Sequence, residues 1–144
     1  MRSVVATLGL DYSYDWRNVN LDTVVSLGYQ FVMRYLCFSA INNAGNDTSK
    51  KRLFASEVGS ITARKLLLGM NWEYQAGDQL RGQDGGNIDA TEAVKQAKAL
   101  GYAEGCAIYF STDFDVTSSQ QFTVDSYLIK AAQICRDSGY LFGQ

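Results

Sequence analysis

The chain has 144 residues, of which 47% are hydrophobic and 19% charged, and its formal net charge is −2. These values are typical of one soluble globular domain, so we treat residues 1–144 as a single domain. The 13 Lys and Arg residues are scattered rather than clustered. Because nucleic-acid binding requires a basic face, nucleic acid is not an expected partner.

Several classes of site are excluded by residue usage. The chain has no histidine, which rules out a histidine general base, a His-dependent nucleophile and a His-ligated zinc. The three cysteines, Cys37, Cys106 and Cys135, are too widely spaced for a disulfide framework or a metal site, so we predict buried thiols. No cofactor is expected. Any acid–base chemistry must come from Asp, Glu, Lys, Tyr or Cys.

The chain shows no sign of a membrane span or a leader. Its apolar stretches, such as residues 65–72, are far shorter than the roughly 20 residues that a span requires. Residues 1–10 contain one arginine and a short apolar run without a separate cleavage site. We therefore expect no transmembrane segment and no signal peptide.

Apolar runs alternate regularly with amphipathic runs along the chain. Asn20 and Ser49 are candidate N-caps for the first two helices, and a Gly-rich loop is predicted over residues 76–87. The predicted strands are 4–12, 30–37, 66–74, 106–115 and a fifth beginning at 140; the predicted helices are 20–29, 49–65, 88–105 and 118–139.

The alternation of nearly continuous apolar strands with helices predicts an α/β fold with a parallel sheet. Two architectures fit this pattern. An open doubly wound sheet of five strands would be complete at this length. A (β/α)₈ barrel of the TIM type needs about 250 residues, so the chain would contain about four and a half βα units of a truncated barrel.

Polar residues gather at the carboxyl ends of the predicted strands, where parallel α/β folds place their chemistry. The first strand ends in Asp11, the third in Glu73, and the fourth in Asp113 and Asp115. Side chains alternate along a strand. The side of the sheet that carries these acids should therefore also carry Asn71, Tyr109 and Ser111, while Ile108, Phe110 and Thr112 face the helices.

Paired carboxylates at neighbouring strand ends suit glycoside hydrolysis. That reaction uses two carboxyl groups about 5–5.5 Å or about 6.5–9.5 Å apart, depending on the stereochemistry. Parallel strands lie about 4.8 Å apart, which brings strand-end carboxylates into this range. Aromatic residues near the same ends, including Tyr35 and Trp72, could stack on sugar rings.

The ordered series LGLDYSYDW, GYQFVMRYL, NWEY, GQDGGNIDATEAVKQAKALGY, AIYFSTDFD and GYLFG resembles a known family. It is similar to the glycoside-hydrolase-like domain of unknown function found in secreted actinobacterial proteins and in phage or bacterial cell-wall lysins. That family is a TIM barrel distantly related to the family-25 lysozyme-like glycoside hydrolases. The resemblance runs from about residue 8 to the end of the chain.

The resemblance implies a polysaccharide or peptidoglycan substrate and an extracellular or cell-wall-acting protein. It implies that the acidic strand ends, Asp11, Glu73, Asp113 and Asp115, surround a sugar-binding pocket. The substrate-binding candidates are Arg34 (in the RYL motif), Tyr35, Asn71, Trp72, Asp89 (in the Gly-rich segment) and Tyr109.

Two features depart from the family pattern. Family-25 enzymes typically end the fourth strand in Asp-x-Glu, whereas this chain has Asp113-Phe114-Asp115. The shorter side chain weakens the assignment of Asp115 as a general acid. In addition, half of the barrel is missing from the chain, so the expected partner is either a C-terminal half or another chain.

Structural roles are the competing interpretation for several of these residues. Asp11 and Asp115 could be turn or cap residues. Arg34 could be a buried counter-ion for Asp11 or Glu73. Asp89 could be the N-cap of the third helix.

Three functional hypotheses follow. The first is a glycosidase with Glu73 and Asp113 as the main pair, assisted by Asp11 and Asp115. The second is a polysaccharide-binding module that uses the same pocket without turnover. The third and least favoured is a divalent-metal site formed by Glu73, Asp113 and Asp115, whose oxygens suit Mg²⁺ or Ca²⁺.

Overall fold

The structure is a computed structural model that describes residues 7–39 and 49–144. The predicted strand residues 4–6 lie outside the described residues. The strands are β1 (Gly9–Asp11), β2 (Phe31–Leu36), β3 (Leu67–Trp72), β4 (Ala107–Phe110) and β5 (Leu141–Gly143); the helices are α1 (Leu21–Ser26), α2 (Ala55–Ala63), α3 (Gly82–Ala99) and α4 (Gln121–Asp137). Short 3₁₀ turns occur at Trp16–Asn18 and Asp78–Arg81.

The five strands form one parallel sheet in the order β1-β2-β3-β4-β5. A doubly wound sheet reverses its strand order at a switch point, whereas a barrel adds each new strand beside the previous one. The sequential order therefore distinguishes the two predicted architectures. The fold is α/β with a partial TIM-barrel-like sheet that is not closed, as the strand–helix pattern predicted.

The hydrophobic core lies between the helices and one face of this sheet. The alternate residues that point towards the helices are fully buried: Val32, Leu36, Met70, Trp72, Ile108 and Phe110. The opposite face is open, and Leu67 is 69% exposed there and Tyr109 38%. The predicted alternation along β4 is thus confirmed, since Ile108 and Phe110 face the helices and Tyr109 does not.

The two predicted N-caps have different outcomes. Asn20 caps α1, and its side-chain oxygen accepts hydrogen bonds from the backbone N–H groups of Asp22 and Thr23 at 3.1 Å. The prediction for Ser49 is wrong, because α2 begins only at Ala55. Backbone pairing explains the difference: Leu53 N–H donates to the Tyr35 carbonyl at 2.8 Å, so the residues before α2 extend the hydrogen bonding of β2.

Helix α3 begins at Gly82, six residues before the predicted start, and the predicted Gly-rich loop is therefore largely helical. Glycine disfavours helix when local propensity alone decides. Here α3 crosses α4 so closely that a β-carbon on Gly86 would collide with the backbone of Tyr127. Tertiary packing thus selects glycine at this position and overrides its low helix propensity.

The prediction of buried thiols is confirmed for two of the three cysteines. Cys37 and Cys135 are fully buried, and Cys106 is partly exposed. Burial raises the pKa of the Cys135 thiol to about 11, so the thiol is protonated at neutral pH. Over residues 7–39 and 49–144, none of the helices is both long and apolar enough to cross a membrane.

Candidate functional site

A polar cleft of about 490 Å³ opens at the carboxyl end of the sheet. Strands β1, β3 and β4 each deliver one carboxylate to it. It is lined by Asp11, Ser13, Tyr35, Lys51, Glu73, Ser111, Thr112 and Asp113. The structure therefore brings together three of the four predicted catalytic acids.

Asp11 is held by Tyr35 from the neighbouring strand. The Tyr35 hydroxyl donates a hydrogen bond to Asp11 Oδ2 at 2.7 Å. Partial burial, together with this bond and the nearby Glu73 charge, raises the pKa of Tyr35. Tyr35 therefore remains a donor at neutral pH, and it orients one oxygen of the Asp11 carboxylate.

Glu73 forms an ion pair with Lys51, a residue that the sequence analysis did not single out. Lys51 Nζ contacts Glu73 Oε1 and lies 4.4 Å from the centre of the Tyr35 ring. The sequence analysis missed Lys51 because it assigned residues 49–65 to a helix, whereas α2 begins only at Ala55. The signal that could have found it is its place soon after β2, where loops at the carboxyl end build the site.

The two aspartates after β4 occupy different positions. Asp113 is exposed and lines the cleft, whereas Asp115 is exposed and does not line it. Beneath the cleft, Asn71 is 5% exposed and donates from Nδ2 to Ser111 Oγ at 2.6 Å. Tyr109 lies on the same open face, further from the carboxyl end of the sheet.

Arg34 and Trp72, two of the predicted substrate-binding residues, lie on the helix-covered face and are fully buried. Arg34 Nε is 2.5 Å from Glu57 Oε1, and its guanidinium lies 4.1 Å from the centre of the Tyr12 ring. Arg34 is thus a buried counter-ion, but its partner is Glu57 of α2 and not the predicted Asp11 or Glu73. The reason is the strand alternation, which points Arg34 away from the cleft.

Asp89 is also fully buried and does not line the cleft. It lies inside α3, so the N-cap interpretation is wrong. The Tyr127 hydroxyl donates to Asp89 Oδ2 at 2.6 Å, and Arg81 forms an ion pair with the same oxygen. Burial raises the pKa of Asp89, which the contacts with Tyr127 and Arg81 oppose.

The geometry does not favour the metal hypothesis. In the part of the chain that the structure describes, no group of three or more Asp, Glu, Cys or His residues is arranged to hold a metal ion. Asp115, one of the three predicted ligands, does not line the cleft that contains Glu73 and Asp113.

The model of the Rv2525c-like, glycoside hydrolase-like domain matches residues 22–144. The chain belongs to this family. The Rv2525c-like match runs from the second residue of α1 through β5 and includes the strand ends that carry Glu73 and Asp113. No curated protein matches the chain.

Solved structures share the fold. Two are crystal structures of the Tat-secreted protein Rv2525c of Mycobacterium tuberculosis, one with L-tartrate (TM-score 0.77, 19% identity) and one with HEPES (TM-score 0.74, 18% identity). Both align with 92% of this chain, which spans 65% of their length. An uncharacterized B. stearothermophilus protein aligns with 95% of the chain and 59% of its own length (TM-score 0.69, 17% identity).

Proposed function

We propose that this domain is a glycoside hydrolase that acts on bacterial cell-wall glycan. The observation that carries the proposal is the convergence of Asp11, Glu73 and Asp113, from the carboxyl ends of β1, β3 and β4, on one open polar cleft. Membership of a glycoside hydrolase-like family supports a glycosidase or a carbohydrate-binding role. Peptidoglycan as the substrate is our proposal from the lysin-like sequence motifs.

The three carboxylates have different surroundings, which suggests a division of roles. Glycoside hydrolysis needs one carboxyl group to protonate the leaving oxygen and a second, ionised one to attack the sugar or activate water. We assign Glu73, whose carboxylate is ion-paired with Lys51, as the nucleophile or base, and Asp113, at the end of the neighbouring strand, as the second member of the pair. Asp11, oriented by Tyr35, stabilises positive charge that develops on the sugar.

We propose that the protein acts outside the cell. The Rv2525c structures are of a Tat-secreted protein, and cell-wall glycan is reached from outside the membrane.

A binding module without turnover is the second candidate. It is favoured by the position of Asp115, which does not line the cleft. Family-25-like enzymes carry a glutamate at the corresponding position. If the second carboxylate of the fourth strand is needed for proton transfer, the cleft would bind glycan without cleaving it.

Release of reducing ends from purified peptidoglycan tests the proposal. We expect Glu73→Gln and Asp113→Asn each to lose about 100-fold or more of the turnover, because each removes a group that transfers a proton or attacks the sugar. Asp115→Asn is the matched control, since Asp115 is exposed near the same strand end, and it should retain most of the activity.

Three outcomes separate the candidates. Equal turnover in the wild type, Glu73→Gln and Asp113→Asn would contradict the catalytic assignment. Glycan binding by the wild type without release of reducing ends would favour the binding module. The absence of both binding and turnover would overturn the proposed function.

A further inference from the structure

The 3₁₀ turn Asp78–Arg81 joins β3 to α3 and contacts the chain next to both proposed catalytic residues. Its first two side chains, Asp78 and Gln79, are each only 1% exposed. Buried polar groups of this kind are costly unless they are hydrogen-bonded. Their partners therefore show what the turn stabilises.

Asp78 holds the backbone that follows Glu73. Its Oδ2 accepts hydrogen bonds from the N–H groups of Tyr74 at 2.8 Å and Gln75 at 3.2 Å. These are the first two residues after Glu73 in the chain. One buried carboxylate thus fixes the direction in which the chain leaves β3.

Gln79 holds the backbone that precedes Asp113. Its Nε2 donates to the carbonyl oxygen of Ser111, which lies two residues before Asp113 and itself lines the cleft. Adjacent residues of one turn therefore bind the ends of two neighbouring strands, β3 and β4. Each of these strand ends carries one member of the proposed catalytic pair.

The turn is itself fixed to the two long helices. Arg81 Nη2 lies 3.0 Å from Asp78 Oδ1 and also forms an ion pair with Asp89 of α3. Asp89 in turn accepts a hydrogen bond from Tyr127 of α4. The turn is therefore linked through Arg81 and Asp89 to both α3 and α4.

We propose that Asp78 and Gln79 are positioning residues that set the separation between the Glu73 and Asp113 carboxylates. This inference rests on the proposed function for its catalytic consequence. Glycosidases depend on the distance between their two carboxyl groups, and a displacement of about 1 Å can cost about 100-fold in rate. The pair Asp78–Gln79 would thus control turnover without contacting the glycan.

Substitutions of the two residues separate this role from a general effect on folding. Asp78→Ala removes the acceptor for both N–H groups, whereas Asp78→Asn keeps an acceptor oxygen and should rescue them. Asp78→Asn also removes one of the two carboxylates that bind Arg81, which keeps its ion pair with Asp89. Gln79→Met keeps the length of the side chain and removes the donor. The matched controls are Asp84→Ala and Gln83→Met, which alter exposed residues of the same two types on α3.

Two measurements are made on each variant that remains folded. The first is kcat and KM for peptidoglycan. We expect Asp78→Ala and Gln79→Met to lower kcat about tenfold or more with KM changed less than about twofold, since the cleft still binds glycan while its carboxylates are misplaced. Asp78→Asn and both controls should stay within about twofold of the wild type.

The second measurement does not need activity. Amide hydrogen exchange should become faster at Tyr74 and Gln75 in Asp78→Ala, and NMR order parameters should fall around Asp113 in Gln79→Met. If the wild type has no turnover but these local changes occur, the proposed enzyme fails and the positioning role stands. If the exchange rates and order parameters of the variants match those of the wild type, the positioning role is overturned. It is also overturned if the exchange rates and order parameters change but kcat does not.

Discussion

Acidic residues on the two sides of the parallel sheet have opposite surroundings. On the helix-covered side, three carboxylates are at most 1% exposed: Glu57, Asp78 and Asp89. Each of them contacts an arginine. Glu57 and Asp89 also accept a hydrogen bond from a tyrosine, and Asp78 accepts hydrogen bonds from backbone N–H groups. On the open side, three carboxylates line a polar cleft with few protein partners: Asp11, Glu73 and Asp113.

This difference separates acids that stabilise the fold from acids that are accessible to a ligand. A buried charge is tolerated only when its partners compensate for the lost hydration, so those partners cannot be exchanged for a substrate. A carboxylate in an open cleft keeps its hydration until a ligand replaces the water. The same residue type therefore has two roles, which can be tested by comparing matched substitutions.

The largest difference is expected between Glu57→Ala and Asp113→Ala. Glu57→Ala leaves the Arg34 guanidinium buried without its carboxylate and also removes the acceptor of the Tyr12 hydroxyl. We expect it to lower the free energy of unfolding by about 3–5 kcal/mol. Asp113→Ala alters an exposed residue and should change it by only about 0.5 kcal/mol. Denaturant titrations measure both values, and equal losses would refute the distinction between the two faces.

A smaller difference is expected between Tyr127→Phe and Tyr35→Phe. Each substitution removes one hydroxyl that donates to an aspartate, at 2.6 Å to Asp89 and at 2.7 Å to Asp11. The buried Asp89 cannot replace the lost bond with water, so we expect a cost of about 1.5–3 kcal/mol. Asp11 is exposed, and the cost there should be about 1 kcal/mol or less. Thermal or chemical unfolding measures the loss of stability in both variants. A larger loss in Tyr35→Phe than in Tyr127→Phe would contradict the distinction between the two sides of the sheet.

The smallest effect is a change in how stability depends on pH. Burial raises the pKa values of Asp78 and Asp89 in the folded protein, whereas an unfolded aspartate titrates near about 3.9. The folded state therefore holds these protons more tightly. Their favourable contribution is complete below the unfolded pKa and is lost as the pH rises through the raised pKa values.

Asp89→Asn, which does not ionise, should reduce this loss of stability over the pH range above the unfolded pKa of about 3.9. Asp15 does not obscure the comparison, because its hydrogen bonds with Arg17 lower its pKa to about 2 and its contribution changes mainly in more acidic solution. Melting temperatures across this range provide the measurement. Parallel pH profiles for the wild type and Asp89→Asn would show that burial does not raise this pKa.

Much of the fold could be predicted from the sequence because it depends on local patterns. Strand–helix alternation and apolar strands indicated the parallel sheet, and the period of two along β4 separated Tyr109 from Ile108 and Phe110. The rule that strand ends carry the chemistry selected Asp11, Glu73 and Asp113, which the structure places in one cleft.

The remainder depends on contacts between residues far apart in the chain. Arg34 and Asp89 are polar residues in family motifs, and only the tertiary structure shows that Glu57 and Tyr127 are their partners. Lys51 enters the cleft because its segment pairs with β2, a contact that helical spacing does not reveal. Gly86 of α3 depends in the same way on the close crossing of α4.

The central claim is that the acidic cleft on the open face binds glycan. NMR chemical-shift mapping with a soluble peptidoglycan fragment tests it most directly, whether or not the protein turns the fragment over. Our account predicts shifts concentrated at Asp11, Tyr35, Glu73, Ser111 and Asp113, and their loss in a protein carrying both Glu73→Gln and Asp113→Asn. Phe122 and Ile129 of α4 are 83% and 68% exposed and lie outside the cleft. Shifts confined to the surroundings of these two residues, or no shifts at saturating fragment, would contradict the claim.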